Sequence, residues 1–211
     1  MIRVPSGQMS AQLRRLGSDL LRLSPPSRSI LVTGSSGGEG VSTAVALLAL
    51  ALAESPGNRV LVVDACLQSP AQHRLLGVPG ESGLHDWSGE GAPPYRQVPK
   101  SEQLWLLPAG AGSTGTDHWL RRTAQLDKLG PRVRGDFDFV LWDTAALGRE
   151  PDGLLLAPHV DGVLVVVESD RTLKERLRDL RERLDAVHLP VLGAIMNRCG
   201  RYWPWSNRLF Q

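Results

Sequence analysis

Short apolar runs recur along this chain, each separated from the next by a helical pattern or a turn-rich stretch. Ile30 to Gly34, Arg59-Val-Leu-Val-Val-Asp64, Leu104-Trp-Leu-Leu107, Phe137 to Asp143, Gly162 to Glu168 and Val191 to Asn197 predict six strands. Most of these runs are continuous rather than alternating, the pattern of strands buried on both faces. Between them the period changes. Leu13, Leu16, Leu20 and Leu21 fall at helical spacing within Ser10 to Leu23, a segment that Pro25-Pro26 stops. A further helix is expected from about Ser42 to Glu54. Leu173, Leu177, Leu180 and Leu184 form one apolar stripe within Thr172 to Val187. Strands alternating with helices imply an α/β fold: a doubly wound, mainly parallel sheet with helices on both faces.

Composition narrows the class. The 211 residues suit one domain, with 1–28 as an N-terminal helix and lead-in and 199–211 as an aromatic and arginine-bearing C-terminal tail. A net charge of +2 is too small to argue for nucleic acid, and no nucleic-acid partner is expected. Cys66 and Cys199 are too few for a disulfide framework or a CxxC metal site. Arg3, Arg14 and Arg15 precede no apolar leader segment, and the run Ala44 to Ala53 is about half a bilayer-spanning length. A cytoplasmic chain is the expectation. His73, His85, His118, His159 and His188 are scattered and read as surface or loop residues. Trp87, Trp105, Trp119 and Trp142 read as packing residues.

Candidate chemistry concentrates in Ser29-Ile-Leu-Val-Thr-Gly-Ser-Ser-Gly-Gly-Glu-Gly-Val-Ser-Thr43. A strand that empties into a glycine-rich turn and opens into a helix is the geometry of a phosphate-binding loop. Gly37, Gly38, Glu39 and Gly40 supply the turn, Ser42 a hydroxyl for Mg²⁺, and Thr43 the next residue of the helix. The pattern G-x-x-x-x-G-K-[ST] is broken at Ser35 and at Val41, where the lysine would stand. Ligands of parallel sheets bind at the carboxyl ends of the strands. Asp64 and Asp143 end two of the predicted strands, so both converge with the loop on one edge.

The chain resembles the cytoplasmic domain of bacterial tyrosine kinases, members of the deviant P-loop group that includes MinD and ParA. The resemblance runs from the helix near Leu13 to about Arg198. It is carried by Gly38-Glu-Gly40 with Ser42-Thr43, Val62-Val-Asp64, Gln72-His-Arg-Leu-Leu-Gly77, Gly83-Leu-His-Asp86 and Leu107-Pro-Ala-Gly110. Phe137-Asp-Phe-Val-Leu-Trp-Asp-Thr144, Asp152-Gly-Leu-Leu-Leu-Ala157, Val160-Asp-Gly-Val163 and Gly193-Ala-Ile-Met-Asn-Arg198 continue it. It implies a P-loop NTPase fold, ATP or ADP with Mg²⁺, and Mg²⁺ contacts from Ser42, Asp64 and Asp143. It also implies an adenine contact from Asn197.

Several family positions depart from that pattern. Val41 replaces the phosphate-binding lysine, and Cys66 replaces the second acid of Asp-x-Asp, which activates the attacking group. The ring-assembly motif Glu-x-x-Arg-x-x-Arg aligns with Ala11, Arg14 and Gly17, and the C-terminal tyrosine cluster is reduced to Tyr202, with Tyr95 far away. MinD-like accessory proteins of bacterial cellulose secretion are similar too: some lack the loop lysine and carry Asp-Ala-Cys, as Asp64-Ala-Cys66 does here. Both resemblances imply a regulatory or scaffolding role in exopolysaccharide synthesis and export, with weak or no ATP turnover. An active ATPase or tyrosine kinase with an unconventional cation, and a MinD/ParA-like positioning protein, are the alternatives. The partner implied is the cytoplasmic part of a membrane polysaccharide copolymerase or glycosyltransferase at the inner membrane, with a homodimer as the self-association state. The tail, with Tyr202, Trp203, Trp205 and Phe210 among Arg201 and Arg208, would serve partner docking or peripheral membrane contact.

Overall fold

Continuous apolar runs become sheet because each can bury alternate side chains against a different layer of helices. In the computed structural model, which describes residues 8–23, 28–111 and 118–198, these runs form β1 (Ser29–Thr33), β2 (Val60–Asp64), β4 (Leu104–Leu107), β5 (Phe139–Asp143), β6 (Gly162–Glu168) and β7 (Val191–Asn197). The helices are α1 (Gln8–Arg22), α2 (Val41–Ala53), α3 (Gln72–Leu76), α4 (His118–Asp136) and α5 (Lys174–Ala186), with a 3-10 helix over Pro151–His159. With β3 (Arg96–Gln97) at one edge, the strand order is β3-β4-β2-β5-β1-β6-β7, and every pairing is parallel except that of β3 with β4.

The seventh strand, β3 (Arg96–Gln97), escapes the sequence pattern because it is two exposed polar residues paired antiparallel at the sheet edge. β5 starts at Phe139 rather than Phe137. Phe137 instead closes the turn after α4, where its amide donates to Val133 O at 3.1 Å. Leu173 does not belong to the buried stripe of α5. It precedes the helix in extended conformation and is 62% exposed, whereas Leu180 and Leu184 are buried.

The two faces of the sheet bury separate apolar layers. Ile30, Val32, Val62, Leu141 and Leu164 meet α1 and α2, while Leu31, Val63, Val140, Trp142 and Val163 meet α4, α5 and the 3-10 helix. Apolar almost throughout, α2 is covered on its outer side by α1, which buries Leu13 and Leu20 there. Gly17 faces Leu52 so closely that a Cβ would overlap its Cδ2, and Arg14 forms an ion pair with Glu54. Two of the three positions aligned with the ring-assembly motif therefore serve α1–α2 packing within the chain.

Candidate functional site

The carboxyl ends of β1, β2, β5 and β7 carry the residues that matter. Leaving β1, the chain turns through Gly37, Gly38 and Gly40, at φ +84°, +85° and +86°, where a Cβ is strained. Beside Gly38 nothing would meet an added Cβ, so the space over the loop is open there. Glu39 braces the loop from within. Its Oε1 accepts from the amides of Ser35 at 3.0 Å and Ser36 at 2.6 Å and from the Ser35 hydroxyl at 3.0 Å. Gly34 makes room for it, since a Cβ there would lie 2.6 Å from Glu39 Oε2. Asn197, at the end of β7, donates through Nδ2 to Glu39 O at 2.8 Å and accepts the Arg198 amide at 2.9 Å. Its amide is committed to shaping the loop.

Val41 opens α2 and turns into the apolar layer, with 9% of its surface exposed. Ser42 is half-buried beside the Asp143 carboxylate, and its backbone carbonyl shares the Gln72 amide with that carboxylate. Thr43, in the first turn of α2, is exposed.

Asp64 and Asp143 sit side by side, register partners at the ends of β2 and β5, both with no exposed surface. Asp64 Oδ2 accepts the amides of Ala71 at 3.1 Å and Gln72 at 3.0 Å, which fixes the start of α3. Gln72 then reaches across: its Nε2 donates to Asp143 Oδ2 at 2.7 Å and to Ser42 O at 2.9 Å. Burial pushes the Asp64 carboxyl above its ordinary range, although the Gln72 and Ala71 amides oppose this. Burial and then the adjacent Asp64 charge push Asp143 upward too, against the hydrogen bonds from Gln72 and Ser42.

The sequence marks Gln72 only as the first residue of the shared segment Gln72–Gly77 and gives it no role, because the carboxylate that it holds lies 71 positions away.

One oxygen of each carboxylate, Asp64 Oδ1 and Asp143 Oδ1, is buried with no partner among the described residues. Buried anionic oxygens without a donor are costly, and a hard divalent cation satisfies them. No group of three or more His, Cys, Asp or Glu side chains suited to a metal converges among the described residues. A cation here would thus rest on two carboxylates, the Ser42 hydroxyl and the oxygens of a ligand, which is how Mg²⁺ is commonly held. The residues fit that ion.

Cys66 does not replace the missing acid. It is buried with Sγ 3.2 Å from Ser69 Oγ, and burial first, then the Asp143 and Asp64 charges, raise its thiol pKa. The Ser69 hydrogen bond opposes the shift. The neutral thiol is a weak donor with little capacity as a base.

Elsewhere His159 corrects the expectation of a surface histidine: it is 9% exposed and faces Asp127 at 3.2 Å. Trp87 and Trp142 are buried as expected. Cys199, Tyr202 and the tail 199–211 lie outside the described residues, as do the side chains of His118 and Trp119. No helix among the described residues is long and apolar enough to cross a membrane.

Comparison with known proteins agrees with this geometry. The succinoglycan biosynthesis transport protein ExoP of Rhizobium meliloti is 32% identical over 188 residues, which cover 87% of this chain and 24% of ExoP. The chain thus spans about a quarter of that relative's length. The tyrosine-protein kinase YwqD of Bacillus subtilis is 27% identical over 177 residues, 81% of this chain and 72% of YwqD.

Among solved structures, the chimerical protein CapA2B2 superposes with a TM-score of 0.80 at 24% identity, covering 92% of this chain and 87% of that one. MinD of Pyrococcus horikoshii OT3, solved with Mg-ADP, gives 0.65 at 27% identity, covering 82% and 71%. The fold is that of the ParA/MinD P-loop NTPases, and the bacterial tyrosine kinases are homologues. The family described as cellulose biosynthesis protein BcsQ matches residues 28–191, most of the chain, and the protein belongs to that family.

Proposed function

We propose that this protein is a nucleotide-binding scaffold or regulator of bacterial exopolysaccharide synthesis and export, cellulose above all, with little or no ATP turnover. The observation that carries the reading is Val41. At the position of the phosphate-binding lysine stands a side chain folded into the core, while Ser42, Asp64 and Asp143 still gather oxygens at the sheet edge.

In this reading the open turn at Gly37, Gly38 and Gly40 and the start of α2 receive the phosphates of ATP or ADP. Asp64, Asp143 and Ser42 hold Mg²⁺. The ion, when bound, neutralises phosphate charge. Gln72 keeps the Asp143 carboxylate and the first turn of α2 in fixed relation, and Glu39 and Asn197 hold the loop's curvature. Turnover would need a group to orient and deprotonate the attacking oxygen, and Cys66 supplies no carboxylate for that.

The relatives' names, a succinoglycan transport protein and tyrosine-protein kinases, support a place in polysaccharide export. The partner proposed is the cytoplasmic part of a membrane copolymerase or glycosyltransferase, met at the inner face of the inner membrane. Self-association as a homodimer and a peripheral membrane contact through 199–211 complete the proposal. Calorimetry with Mg·ATP and Mg·ADP, run beside a phosphate-release assay, tests it. Micromolar binding without release is expected; brisk release abolished by Asp143→Asn would overturn the scaffold reading.

A further inference from the structure

We propose that Arg149 is the cation that grips the phosphate end of the nucleotide in this chain, a duty that Val41 can no longer perform. The inference rests on the nucleotide-binding reading above.

The connection after β5 is locked onto the loop. Ala146 O accepts the amides of Arg149 at 2.8 Å and Glu150 at 2.9 Å, and the Leu147 amide donates to Thr33 Oγ1 at 3.1 Å. Gly148 lies against Ser35 O so closely that a Cβ would overlap it. This fixes the backbone of Arg149 beside the loop. Its side chain then runs over Gly37, with Nη1 3.5 Å and Cδ 3.7 Å from where a Gly37 Cβ would stand.

Among the described residues the guanidinium has no acid to serve. Nη1 donates to Ser36 O at 3.3 Å, and Arg149 has no carboxylate partner among the described residues. By contrast Arg14 pairs with Glu54, Arg134 with Asp161, Arg181 with Asp185, and Arg171 and Arg198 with Glu168. Arg149 keeps most of its five donors uncommitted, in the planar fork that matches phosphate oxygens.

The charge around the loop calls for it. Glu39, Asp64 and Asp143 are all buried at this edge, and Val41 contributes no charge. Glu39 Oε1 is answered by two amides and a hydroxyl while its Oε2 is buried without a partner among the described residues, and Mg²⁺ would answer the aspartates. Arg74 acts on Asp64 from α3, whereas a phosphate tail arriving over the glycine turn would meet Arg149 at the turn itself. Asp143 and Arg149 leave the same strand end, so ion and guanidinium would flank the outer phosphates together.

The test is calorimetric titration of Mg·ATP and Mg·ADP into the wild type, Arg149→Ala and Arg149→Lys, with thermal melts as a folding control. The proposal expects Arg149→Ala to melt like the wild type and to bind Mg·ATP about tenfold or more weakly, with Arg149→Lys recovering part of the loss. Equal affinity in wild type and Arg149→Ala would overturn the role of Arg149 and leave nucleotide binding standing. Failure of the wild type to bind either nucleotide would instead bring down the nucleotide reading itself.

Discussion

Asp64 and Asp143 face each other across β2 and β5 as register partners, each with one carboxylate oxygen buried and unpaired among the described residues. Without a cation their charges repel in a poorly solvated edge. Asp143→Asn retains an acceptor for Gln72 Nε2 and removes one of the two charges. The metal-free variant should melt above the wild type at neutral pH, by about 2–4 °C for each kcal/mol relieved. Added Mg²⁺ with ADP should raise the melting temperature of the wild type and leave that of the variant unchanged. Equal nucleotide responses in the two proteins would show that the pair does not hold the ion.

Restoring the lysine tests whether its loss limits affinity. Val41→Lys places an ammonium at the first turn of α2, where a charge-assisted contact is worth about 1.5–3 kcal/mol, or about tenfold to a hundredfold in affinity. The same change removes a side chain packed in the core and should lower the melting temperature of the free protein. Phosphate release should stay at background in Val41→Lys and rise only when Cys66→Asp is added. Calorimetry and a release assay on the three proteins read both effects.

Tyr95 is unavailable as a phosphate acceptor. Its ring packs edge-on against Phe137 at 5.3 Å between centroids, and its hydroxyl is buried without a partner among the described residues. Burial first, with the Asp136 charge, pushes the phenol up to about 12, Arg132 opposing. Incubation with Mg·ATP should leave no phosphate on Tyr95 by mass spectrometry. Tyr95→Phe, which deletes an unsatisfied hydroxyl, should change stability by less than about 0.5 kcal/mol or raise it.

Acid stability should depend on Asp161. Burial alone would raise its pKa, but the amides of Ser29 and Arg28 and the Arg134 guanidinium more than offset this, so the folded value lies below the ordinary 3.8. Its Oδ2 accepts both amides at 2.8 Å, and Arg134 Nη1 donates to Oδ1 at 2.7 Å. A lowered folded pKa gives stability that is present above the unfolded value and lost as pH falls through the folded one. Asp161→Ala should cost about 1.5–3 kcal/mol at pH 7, and the gap to the wild type should close as pH drops below 3.8. Denaturant melts at pH 7 and pH 3 would check the sign.

The sheet was legible because its strands are continuous apolar runs: residues 162–168, buried almost throughout, and 191–197, partly exposed at the sheet edge, read as strands with the bounds that they have. β3 left no trace because its two polar residues are held by one antiparallel pairing alone. The loop, Ser42 and the two aspartates were readable from residue type and strand-end position. The roles of Gln72, quoted only as part of a shared segment, and of Arg149 were not: their contacts span 71 and 113 positions and exist only once β5 lies between β1 and β2. Val41 announced a missing charge, but its burial in the core belongs to the packing of α2. The Leu173 error came from extending the apolar period to the residue just before the helix.

The carboxylate of Glu39 gives the turn after β1 an acceptor of its own, so the amides of Ser35 and Ser36 are satisfied whether or not a guest is present. A bend stabilised from inside needs no visitor to hold its contour. In the scaffold proposed above, the turn would keep its contour before a nucleotide arrives, and binding would alter the charge of this edge more than its form.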